Sequence, residues 1–138
     1  MSFEIVNPAS LGRPSGWNNG LLAAAGGRVL FVAGQTAATE GTVTATDFVS
    51  QFRIALDKVL TVVRAAGGGP EHVGRLTIYV TDLDVYRASR KPLGEAYRAL
   101  MGSHYPAMAL VEVKRLLDGG ALVEIEATAV VPTAPRGP

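Results

Sequence analysis

From Ala121 to Val131 every odd position is apolar (Ala121, Val123, Ile125, Ala127, Ala129, Val131), and the alternates are Leu122, Glu124, Glu126, Thr128 and Val130. A period of two sustained this long predicts a strand with its odd face buried in a core, a demand that a chain of 138 residues can meet only by laying other elements over that face.

The rest of the chain supplies candidates. Phe48, Phe52, Ala55, Leu56, Val59 and Val63 share one face of a helix, with Asp47, Arg53, Asp57, Lys58 and Arg64 largely opposite. Thr44 followed by Asp47 predicts its N-cap, and Gly67-Gly68-Gly69-Pro70 its end. Leu76, Ile78 and Val80 alternate with Arg75, Thr77, Tyr79 and Thr81 as a half-buried strand. A second helix is expected to open as a loose turn after Asp82 and to become regular at Pro92, with Leu93, Tyr97, Leu100 and Met101 inward and Gly102 at its end. Residues 109–115 read as a strand joined to 121–131 across a turn marked by Asp118-Gly119. Residues 29–33, bounded by Gly26-Gly27 and Gly34, read as a strand buried on both faces, with 21–25 as its hairpin partner. Residues 3–6 add an N-terminal strand.

This order predicts an α+β unit over 1–131, a sheet of about six strands with two helices on one face, and a frayed tail over 132–138. Two helices cover one face. The other mixes Leu110 and Val130 with Glu112, Glu124 and Glu126, a pattern suited to a subunit interface with a polar cleft. A hydrophobic content of 48% against 18% charged residues agrees with surface held for other subunits.

Composition excludes several chemistries. There is no cysteine, hence no disulfide, thiolate metal site or Cys nucleophile, in keeping with a cytoplasmic setting. His72 and His104 are isolated, and no metal site or cofactor is expected. The charge of +1 is spread without runs, and nucleic acid is not an expected partner. No apolar run approaches membrane-spanning length, and no leader is expected over residues 1–20.

The combination of Asn7-Pro8-Ala9, Ala33-Gly34-Gln35, residues 105–113 (YPAMALVEV) and 122–130 (LVEIEATAV) closely resembles the RidA/YjgF family of reactive intermediate deaminases, known also as the endoribonuclease L-PSP family. The resemblance implies a chorismate-mutase-like (ferredoxin-like) fold assembled as a homotrimer with clefts between subunits. It also implies cofactor-free hydrolysis of a reactive enamine or imine to a carbonyl compound and ammonia. On this resemblance Glu124 handles the attacking water, the Gly34 carbonyl faces the substrate nitrogen, the Leu110 amide meets the substrate carboxylate, and Trp17 falls near a cleft-closing aromatic. One departure stands out. Where active deaminases of the family have Pro-Ala-Arg-Ser, this chain has Pro106-Ala107-Met108-Ala109, and the carboxylate-binding arginine is gone. Arg90, Lys114 and Arg115 are candidate substitutes. The resemblance therefore leaves two readings, a deaminase with altered substrate preference and a non-catalytic homotrimer that binds a small molecule or a protein.

Overall fold

A computed structural model of the chain describes residues 3–133. Along the sequence run β1 (Glu4–Val6), β2 (Gly20–Leu22), β3 (Arg28–Gln35), β4 (Ala38–Thr39), β5 (Thr42–Val43), α1 (Phe48–Ala65), β6 (Val73–Val80), α2 (Leu83–Ala88), α3 (Arg90–Met101), β7 (Ala107–Glu112) and β8 (Val123–Val131). The central sheet has four strands in the order β3-β8-β6-β7, with β6 and β7 parallel and the other pairs antiparallel. The remaining strands form two small ladders, β1 with β2 and β4 with β5, so the expected sheet of about six strands is a four-stranded sheet with two appendages.

The helix layer follows the apolar periodicity. On α1, Phe48, Phe52, Ala55, Leu56, Val59 and Val63 are all buried, as are Leu93, Tyr97 and Met101 of α3. They pack on Leu76, Ile78 and Val80 of β6 and on the odd positions of β8, each of which is buried. Asp47, rather than Thr44, caps α1: its carboxylate accepts from the Ser50 amide at 3.0 Å and satisfies a donor that the first turn leaves free. The Asp82 carboxylate caps α2 by accepting from Asp84 N–H, which makes the segment after Asp82 a short helix.

Three expectations about the sheet require correction. Residues 29–33 are not buried on both faces. β3 is an edge strand whose Phe31 is 81% and Val29 58% exposed, because its second face has no layer over it. The segment beginning at Leu21 does not pair with β3 either; β2 pairs with β1, Leu21 opposite Ile5. Finally, β7 and β8 are not neighbours, since β6 lies between them. An Asp-Gly turn constrains only a few residues and cannot exclude a third strand from entering between the two it connects.

What holds the long β7–β8 connection is Gln51. Fully buried on α1, its amide nitrogen donates to the Ala45 and Gly120 carbonyls and its oxygen accepts from the Leu122 amide. Within the segment expected to fray from 132, Thr133 donates its hydroxyl to the Gly26 carbonyl. Residues 134–138 of that tail lie outside the described residues.

Candidate functional site

Residues opposite one another in paired strands share a face, and the register therefore sorts the candidate residues into two groups. Tyr79 is opposite Glu124, Thr77 opposite Glu126, and Phe31 opposite Thr128, all on the face without helices. Leu76 pairs with Met108 and Ile78 with Leu110, placing both β7 side chains on the helix-covered face. The expectation that Leu110 shares the mixed open face with Glu124 is thus corrected. The cause is nonlocal: β7 enters parallel to β6, and that pairing selects which of its two faces meets the helices.

On the open face, Glu124 and Gly34 meet. A Cβ built on Gly34 would lie 2.9 Å from the Glu124 carboxyl carbon, closer than real side chains approach, so the carboxylate can rest here only against a glycine. The register shift between Val32 and Gln35 places this contact at a bulge, a device that re-aims local backbone. Glu126, two residues along, is engaged differently: its carboxylate accepts from the Tyr79 hydroxyl at 2.5 Å. This bond, foremost among the causes, raises the pKa of the Tyr79 phenol and keeps it protonated through neutral pH. Of the two carboxylates, Glu126 is thus bonded to a tyrosine hydroxyl and Glu124 lies beside a glycine.

On the other face, at the β7 edge, α2, α3 and the loop before β2 enclose a cavity of about 400 Å³. Trp17, Phe52, Tyr86, Tyr97, Tyr105, Met108 and Leu110 line it, together with Arg90, Arg98, Gly16 and Gly94. The Tyr97 and Tyr105 rings stack at 5.2 Å, only 7° from parallel. Tyr97 gives its hydroxyl proton to the His104 carbonyl at 2.7 Å, and burial raises its pKa, which removes it from proton transfer at ordinary pH.

The wall carrying Trp17 is held by asparagines. The Asn7 amide donates to Asn18 Oδ1 at 2.8 Å and accepts from Asn19 N–H at 2.7 Å. Asn18 Nδ2 in turn donates to the Tyr105 carbonyl at 2.6 Å. Residues distant in sequence thereby fix the Trp17 loop against the start of β7, and the sequence signal was the Asn7-Pro8-Ala9 element, whose role as a loop clamp could not be read locally.

Among the expected residues, Gly34 and Glu124 are brought together on one face, and Met108, Leu110, Trp17 and Arg90 on the other. Lys114 and Arg115 are exposed beyond β7 and do not line the cavity. Arg98 does, and sequence reasoning passed over it; its spacing of four from Gly94 and eight from Arg90 on α3 was the available signal. Among the described residues no group of three His, Cys, Asp or Glu side chains is placed to hold a metal ion, and no helix is long and apolar enough to cross a membrane.

The fold and the matching residues place this chain among known proteins. Residues 16–131 match the family model described as Endoribonuclease L-PSP. A RutC family protein of Synechocystis, slr0709, is 32% identical over 136 residues, spanning 96% of this chain and 100% of its own length. The crystal structure of the Rid-family protein YyfB from Yersinia pestis, titled as of unknown function, superposes with a TM-score of 0.80 at 28% identity, covering 95% of this chain and 100% of that one. The structure of Escherichia coli TdcF with bound serine does so with a TM-score of 0.65 at 26% identity, covering 94% and 98%. TdcF is named as a candidate reactive intermediate deaminase. The chain belongs to the endoribonuclease L-PSP family, the RidA/YjgF family of the sequence comparison.

Proposed function

We propose that this protein hydrolyses a reactive imine or enamine to a carbonyl compound and ammonia, in clefts formed between subunits of a homotrimer. The observation that carries the reading is the Glu124 carboxylate laid against Gly34 on a sheet face that the chain does not cover. Farther along the same face, opposite Val130 and Thr128, Val29 and Phe31 expose apolar surface suited to burial by another copy. Within one chain the Glu124 side and the cavity lie on opposite faces of the sheet. They act on one substrate only when the open face of one copy meets the cavity edge of the next.

In this assembly Glu124 orients the water and accepts its proton as the oxygen attacks the imine carbon. The Gly34 carbonyl receives the substrate N–H. β7 is an edge strand, so it keeps backbone donors that its own sheet does not use, and the Leu110 amide is the one assigned to the substrate carboxylate. Glu124 returns that proton to the substrate nitrogen, and as the tetrahedral carbon collapses the remaining hydroxyl proton passes by the same carboxylate to the nitrogen, which leaves as ammonia and yields the carbonyl product. Met108, in place of a guanidinium, makes the cavity wall apolar and adaptable, shifting preference away from the smallest imino acids. Trp17 closes the mouth. No cofactor takes part, and the reading places the reaction in the cytoplasm.

The test is a panel of imines generated in situ by an amino-acid oxidase, with ammonia release compared between the native chain and Glu124→Gln. The substitution is nearly isosteric, and its loss of a general base should lower the rate about a hundredfold. Ammonia release by the native chain no faster than in protein-free buffer, with the assembly intact, removes the deaminase reading and leaves the non-catalytic binding trimer.

A further inference from the structure

The cavity beside β7 has a feature that neither the Glu124 side nor the replacement of arginine by methionine explains. Arg90, Gly94 and Arg98 lie at intervals of four on α3, and all three face the cavity. Side chains on a helix lean toward its N-terminus, and Arg98 accordingly folds back over Gly94: a Cβ built there would lie 3.1 Å from its Nη1. Glycine inside a helix costs about 1 kcal/mol relative to alanine, and Gly94 has no left-handed backbone conformation that would require it. The notch therefore disfavours the helix while giving one guanidinium a place against the cavity wall. Arg90, at the other end of the stripe, has its Cζ 5.8 Å from the Tyr86 ring centroid, an arrangement that leaves in-plane N–H donors free. Among the described residues no carboxylate lies within 4.0 Å of either guanidinium.

Two cations with no protein counter-charge sit at the rim of a cavity whose body is aromatic and thioether surface. We propose that this cavity takes an arylalkyl carboxylate, its ring against Tyr105 and Met108 and its carboxylate shared between the Leu110 amide and the Arg98 guanidinium laid over Gly94. Bidentate geometry suits guanidinium to a carboxylate, and a volume of about 400 Å³ holds a phenyl ring with a short chain. The inference rests on the preceding reading for the chemistry: the substrate would be the 2-imino acid of an aromatic amino acid, which with one water gives the 2-oxo acid and ammonia.

Binding is tested without turnover, using 3-phenylpropionate, its neutral amide 3-phenylpropanamide, and propionate. Trp17, the sole tryptophan, supplies a fluorescence signal at the cavity mouth, and calorimetry an independent one. 3-Phenylpropionate should bind at least about tenfold more tightly than either control, the effect of one charge-assisted hydrogen bond. Arg98→Gln should weaken the acid about tenfold and leave the amide unchanged. Gly94→Ala should raise the melting temperature while weakening the acid, a combination that a purely structural role for the glycine would not give. Equal affinity for acid and amide, failure of 3-phenylpropionate to bind, or an Arg98→Gln protein that binds it undiminished would overturn the proposal. Imine hydrolysis with no preference for aromatic side chains would also overturn it without touching the deaminase reading. Charge-dependent binding of 3-phenylpropionate in a protein that hydrolyses no imine would uphold the cavity's ligand class and remove only the deaminase reading.

Discussion

The two faces of the β3-β8-β6-β7 sheet are built from the same strands and have opposite fates. Between the helices and the sheet, Leu56 and Val59 of α1, Val80 of β6 and Val123, Ile125 and Ala129 of β8 are fully buried, and the periodicity of each element announces it. On the opposite face, which also carries Glu124 and Glu126, Val29 and Phe31 stand in the open. The first face is closed by the chain's own covalent neighbours. The second can be closed only by another molecule, and it carries the carboxylate to which the proposed chemistry is assigned. The proposed chemistry thus falls on a mixed face, and a uniformly apolar face would exclude water while a uniformly polar one would hold no partner.

The sharpest break in the comparison comes from truncation on the closed face. Leu56→Ala removes a fully buried side chain and should cost about 2–5 kcal/mol in denaturant unfolding, since the surrounding helix and sheet cannot collapse onto the gap. A cost below 1 kcal/mol would mean that this face is loosely packed. On the open face, Phe31→Asp should leave the isolated subunit folded, because that side chain touches little of its own chain, yet shift sedimentation from three copies toward one. If the native protein already sediments as a monomer at micromolar concentration, the open face is not an interface and the intersubunit cleft falls with it.

The smallest effect is expected at the N-cap of α1. The Ser50 backbone amide, hydrogen-bonded to Asp47, holds that carboxyl below its ordinary value of 3.8. A lowered native pKa means that the unfolded state binds the proton more readily. The contribution is therefore complete above the ordinary carboxylate range and is lost as pH falls through the lowered value. Asp47→Asn keeps a capping oxygen and removes the titration, so melting curves between pH 5 and pH 2 should show a slightly shallower acid decline than the native chain; an unchanged slope would assign that decline to other carboxylates.

Much of this was legible in one dimension. The helix over residues 48–65, the alternation of β6 and β8 and the inward face of α3 follow from whether each side chain returns to the same side after two residues or after 3.6. That geometry is local and needs no knowledge of neighbours. The Glu124 and Gly34 pair is nominated by the family resemblance of residues 33–35 and 122–130, although nothing local says that the two touch.

The sequence by itself determined which residues go under the helices and that a second face would remain mixed. Tertiary structure decided the rest. Strand order is a matter of pairing between segments far apart in the chain, and only the insertion of β6 between β7 and β8 turned Met108 and Leu110 toward the helices and away from Glu124. The same nonlocal packing set Arg98 over Gly94 and tied Asn7 to Tyr105 through Asn18, giving an aromatic cavity its rim of positive charge. Periodicity records how a side chain faces its own backbone, and a binding site depends on which backbones are brought to face each other.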